Sequence, residues 1–175
     1  CSGGTSPGYA CFIDGDCFGG GVCVGADTPT TFPQGPTVGA SNACGGTAWT
    51  SPGNITSSDD VYASVTITPP GSTECLQATG FGFAIPTANT VLGIFGEFEK
   101  REGSAVGDCT DLEVKLMKAG VAVGTDHSLG TEWTTSIPTP YTAYGSSSDL
   151  WGTTWTPAEI NDAGFGIQIR GQCTG

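Results

Sequence analysis

Between Cys75 and Arg101 the chain reads C-L-Q-A-T-G-F-G-F-A-I-P-T-A-N-T-V-L-G-I-F-G-E-F-E-K-R, and its period of two commits this stretch to pleated strands. In the first arm Gln77, Thr79, Phe81, Phe83 and Ile85 share one face, and Leu76, Ala78, Gly80, Gly82 and Ala84 share the other. The aromatic face requires a core. The small face lets another layer or chain approach closely, although glycine weakens a strand. In the second arm Leu92, Ile94 and Phe98 point one way and Glu97 and Glu99 the other, with Pro86-Thr87-Ala88-Asn89 as the turn between the arms. The expectation is a central β-hairpin.

Alternation recurs on both sides of it. Val61, Ala63, Val65 and Ile67 alternate with polar neighbours until Pro69-Pro70-Gly71 stops the strand. Leu112, Val114 and Leu116 alternate with Glu113, Lys115 and Met117, and Gly120 turns the chain into a short Val121 to Val123 strand. Phe165, Ile167 and Ile169 alternate near the end. One helical signal stands out: Thr156 caps, Pro157 fills the first turn and Glu159 reaches back. Clean alternation is the mark of antiparallel sheets with one wet face, so the expected fold is all-β, an antiparallel two-sheet, jelly-roll-like sandwich with one short helix.

The N-terminal part is organised differently. Residues 1–24 hold too few apolar side chains for a core but carry Cys1, Cys11, Cys17 and Cys23, so cross-links must replace packing there. Residues 25–44 hold three prolines and no hydrophobic period, which reads as an extended arm or linker. At about 3.3 Å per residue it spans on the order of 50 Å, enough to cross onto a neighbour or wrap its own domain. Residues 45–175 are the expected sandwich domain. Eight cysteines with 29 glycines in 175 residues place the chain among secreted, oxidised, loop-rich proteins, and the first residue is expected to be a processed end.

Disulfide connectivity is open from sequence, because four cysteines allow three pairings. The N-terminal order suggests Cys1 with Cys17 and Cys11 with Cys23, a disulfide being preferred over a lipid on Cys1. The central hairpin would bring Cys109 back to Cys75. A last strand lying beside the first would bring Cys173 to Cys44.

Function classes are narrowed mainly by what the composition opposes. A net charge of −12 argues against nucleic acid and anionic membrane as partners, and no apolar run approaches the roughly 20 residues a spanning helix needs. Asp14 and Asp16 resemble the start of a calcium loop without its bidentate Glu, so they read as turn residues. No metal or cofactor is expected, since the cysteines lack paired ligand spacing. His127 stands in a turn-like stretch with no placeable triad partners, and Glu97 with Glu99 imitates a carboxylate pair on a solvated strand face. The expectation is therefore not an enzyme. Trp133, Tyr141, Tyr144, Trp151 and Trp155 offer a platform for stacking sugar rings, against which stands the reading that Trp151 and Trp155 plug one end of the sandwich. Asn54-Ile55-Thr56 fits a glycosylation sequon.

The stretch from Trp49 to Arg170 resembles a domain of bacterial surface proteins and phage structural proteins. The likeness rests on Gly80 to Pro86, Gly93-Ile94 with the charged end Glu97 to Arg101, Asp111 to Gly120, and Tyr144-Gly145-Ser146 through Leu150-Trp151-Gly152 and Trp155 to Asn161. It implies an all-β sandwich within an extracellular or virion assembly and carries no catalytic residues. The chain departs from that domain by its added cysteines and its N-terminal module. Taken together, the expected function is a secreted structural subunit of an extracellular filament or surface fibre, a homopolymer joined head-to-tail through its N-terminal arm. The competing expectations are a carbohydrate-binding or adhesive module, with glycans as partners, and a phage or virion decoration protein.

Overall fold

The computed structural model describes the backbone of Gly21–Gly25 and residues 35–103, 108–137 and 139–174. Cys1, Cys11, Cys17, Asp14 and Asp16 lie outside the described residues, and with them both expected N-terminal disulfides. The protein is all-β with two antiparallel sheets and one short helix. The smaller sheet holds β1 (Gly21–Gly25), β5 (Thr90–Glu99) and β8 (Tyr141–Gly145), with β5 in the middle. The larger sheet runs in the order β2 (Val38–Asn42), β4 (Cys75–Thr79), β9 (Gly166–Cys173), β6 (Cys109–Lys118) and β7 (Val121–Val123). The two-residue β3 (Gly71–Ser72) pairs with the end of β9.

Both sheets feed one core. Leu76, Ala78, Val114, Leu116, Ile167 and Ile169 of the larger sheet meet Ile94, Phe98 and Tyr144 of the smaller. The approach is close enough that a Cβ on Gly96 would lie 2.9 Å from Ile167 Cδ1 on the facing sheet. Trp151 is wholly buried at the end of β8, and its Nε1 donates to Ile94 O at 2.9 Å. Gly145, at φ +73, makes room for it, since a Cβ there would sit 2.5 Å from that nitrogen. The helix α1 (Pro157–Asn161) forms where the capping pattern predicts it, with Thr156 Oγ1 accepting from Glu159 N and Glu159 Oε2 accepting from Thr156 N.

The central hairpin is not present. β4 pairs with β2 and β9, whereas β5 pairs with β1 and β8, so the two arms belong to different sheets. Gly80 at φ +72 and Gly82 at φ +69 take the chain out of the ladder and reverse its phase. Leu76 and Ala78 face the core before that point, and Phe81, Phe83 and Ile85 face it afterwards. The extended segment that follows replaces a strand partner with a side chain: Ile85 N donates to Asn161 Oδ1 at 2.8 Å, and Asn161 Nδ2 donates to Ile85 O at 2.9 Å. The expected turn at Pro86 to Asn89 does form, with Asn89 N donating to Pro86 O.

Other expectations shift for equally local reasons. Leu92 is 48 % exposed, because an irregularity in the β1–β5 register skips it and turns Val91 inward instead. A similar irregularity between Asp111 and Glu113 leaves Leu112 half-buried and drives Asp111 into the interior. Residues 61–67 form no strand, only an isolated bridge from Ser64 to Thr50, and Val61 is exposed. Residues 38–42, inside the expected arm, are the edge strand β2 of the larger sheet.

The disulfide pairing also differs from expectation. Cys44 bonds to Cys75 and Cys109 bonds to Cys173. Without the hairpin, Cys75 lies opposite Asn42 at the end of β2, two residues before Cys44. β9 lies between β4 and β6, which puts Cys173 directly across from Cys109.

Candidate functional site

The phase change at Leu112 assembles a polar cluster inside the fold. Asp111 is 5 % exposed and its carboxylate is saturated with donors. Oδ1 accepts from Lys100 Nζ and from Trp133 Nε1 at 2.8 Å; Oδ2 accepts from Tyr144 OH at 2.8 Å and from Leu129 N at 3.0 Å. Lys100 Nζ also lies over the rings of Trp133 and Tyr144, at 5.3 and 5.2 Å from their centroids. Burial pulls the Lys100 ammonium below its usual range, with Asp111 opposing the shift, and burial beside the Asp111 charge pushes the Tyr144 phenol well up. A carboxylate with four donors has no capacity left for a reacting group. What the cluster does is tie β6, the end of β5, β8 and the loop carrying Leu129 and Trp133 together.

A second feature lies next to it, where the two edges of β5 are unequally covered. β1 pairs with β5 from Thr90 to Phe95, and β8 pairs with it from Phe95 to Glu99. From Gly96 to Glu99 only the β8 edge is laddered among the described residues. A partly open cavity of 520 Å³ meets the strand there edge-on, for it is lined by Glu97, Phe98, Glu99 and Lys100, which alternate in direction. Its floor is core, including Leu76, Phe81, Ile167 and Ile169, and the segment around residues 54–67 forms a wall. At its mouth Tyr62 OH donates to Glu99 Oε1 at 2.5 Å and lies 3.1 Å from Thr139 Oγ1. Tyr141 OH and Ser58 Oγ share a hydrogen bond of 2.5 Å. Burial raises the phenol pKa of both tyrosines. Glu97 has no hydrogen-bond or ion-pair partner among the described residues, and burial raises its carboxyl above the usual range.

The sequence candidates separate on this frame. Of the five aromatics proposed as a sugar platform, Tyr144, Trp151 and Trp155 are buried at 2 %, 0 % and 7 % exposure. Trp155 packs edge-on against Phe165 and donates from Nε1 to Leu150 O, so these three present no ring face for a ligand. Trp133 and Tyr141 do come together, both lining the cavity. Glu97 and Glu99 line it too, rather than standing on a plainly solvated face. Asn54 lies in a 3-10 helix (Pro52–Thr56), half-buried, with its Nδ2 donating to Tyr62 O at 3.1 Å. His127 pairs with Asp149, Nε2 to Oδ2 at 3.3 Å, and stands 4.2 Å from the Trp151 ring. Its backbone N donates to Val114 O, so the stretch is fastened along β6.

Sequence reasoning missed Asp111, Lys100 and Tyr62. A lone Asp at the head of an apolar alternation was the available signal for the first. Nothing in the order of residues connects Tyr62 to Glu99. Among the described residues no group of three metal-ligating side chains is gathered, and no helix is long and apolar enough to cross a membrane. The chain matches no protein-family model, no curated protein and no solved structure.

Proposed function

We propose that the protein is a secreted structural subunit of an extracellular filament or surface fibre, its two sheets forming a jelly-roll-like sandwich and its N-terminal segment forming the joint between subunits. The observation that carries this reading is β1. The last four residues of the N-terminal module and Gly25 of the arm complete the edge of the smaller sheet through a backbone ladder on β5. Main-chain pairing is indifferent to which copy supplies the strand, so the same ladder can be built by a neighbour. Residues 26–37 connect β1 to β2 and reach on the order of 40 Å when extended, enough to pass between adjacent subunits. The Cys44–Cys75 bond holds the chain after β2 to its own sheet, so the exchanged segment ends before Val38. Disulfides at the seams suit an oxidising exterior.

The test mixes two variants. Gly21 and Phe95 are opposite each other in the ladder, so a Gly21→Cys copy mixed with a Phe95→Cys copy cross-links only if the strand is exchanged. Cross-linked dimers and longer species, with fibres visible by electron microscopy, are expected. Monomers throughout would refute the joint. The carbohydrate-binding alternative keeps one specific support, that Trp133 and Tyr141 share the cavity with Glu97 and Glu99.

A further inference from the structure

We propose that the cavity beside β5 is a binding site for an amphiphilic cation, a small molecule with an apolar body and an ammonium or other basic head. Leu76, Phe81, Phe98 and Ile167 contribute apolar surface to a mostly apolar lining, which suits an alkyl or aryl body better than a ring of hydroxyls. The charged part of the lining is mainly acidic, with Asp60, Glu97, Glu99 and Glu102 all belonging to it. The nearby Lys100 is neutralised by Asp111, leaving Arg101 as the facing cation. Arg101 itself shows how a cation sits here, with its guanidinium carbon 5.0 Å from the centroid of the Tyr62 ring. Glu97 supplies what is missing from a closed internal network, a half-buried carboxylate with no hydrogen-bond or ion-pair partner among the described residues. Its pKa is raised by burial, so a counter-charge placed beside it relieves a cost the fold already bears. All of its described lining residues belong to one chain.

Three probes with one tail and different heads test this: octyltrimethylammonium, octanoate and octyl glucoside, each below its micelle-forming concentration. Binding to the intact chain is followed by calorimetry and by the fluorescence of Trp49 and Trp133, which both line the cavity. The cationic probe is expected to bind at least about tenfold more tightly than octanoate, and Glu97→Gln to remove about that factor while the chain still unfolds cooperatively and at no lower temperature than the parent. An Ala63→Trp variant, which places an indole in the cavity wall, should abolish binding of all three. If that variant does not fold, the Glu97→Gln comparison decides alone. Equal affinity for the three probes, a preference for octyl glucoside, cationic binding unchanged by Glu97→Gln, or no binding would each overturn the proposal.

Discussion

Asp111 shows how much one side chain can depend on backbone phase. Along a regular strand it would share the polar face with Glu113 and Lys115, but the irregularity at Leu112 turns it inward, where four donors meet it. Replacing it by Asn removes the charge that holds Lys100 in a nearly solvent-free place, its side chain being 9 % exposed. The expected loss is about 3–5 kcal/mol of stability in chemical denaturation, partly restored by adding Lys100→Met. A loss below about 1 kcal/mol would mean that the cluster is incidental to the fold. Glu97 leads to the opposite outcome. Its folded pKa is raised, so ionisation costs folding free energy above that pKa and nothing below the unfolded value. Glu97→Gln should therefore raise the thermal midpoint at pH 7, and the difference from the parent chain should vanish below about pH 4. A gap that persists at low pH would point to packing as its cause.

At the scale of elements, the sequence named most strands and misplaced their partners. The alternations in β6 and β9, the turn into β7 and the capped helix α1 were all legible, because each is set by local periodicity or by side chains within four residues. The hairpin was not legible. Two alternating runs separated by a turn look the same whether they pair together or cross between sheets, and only Gly80 and Gly82 hinted at the crossing. The disulfide assignment followed the hairpin and changed with it. The bonds that form close separations of 31 and 64 residues, so in the chain-entropy view the Cys109–Cys173 bond stabilises more, by about 0.6 kcal/mol. Each Cys→Ser pair should cost about 2–4 kcal/mol, with the Cys109 pair the more costly. Peptide mapping of the oxidised chain should recover these two links, and a Cys75–Cys109 peptide would overturn the strand order itself.

For the whole molecule, composition alone fixed an oxidised, β-rich chain of net charge −12, since cysteine count, glycine content and charge need no coordinates. Period-two patterning determined that sheets would form and which residues needed a core. Which strands are neighbours was decided only in three dimensions, because a ladder is made of backbone groups that every residue shares. The same holds for the candidate site. Tyr62, Glu97, Glu99, Trp133 and Tyr141 are scattered over about eighty positions of sequence, and they meet in one cavity only through the tertiary fold. Local patterns are encoded by neighbours in the chain, whereas the cavity and the joint exist through long-range pairing that one-dimensional order leaves unspecified.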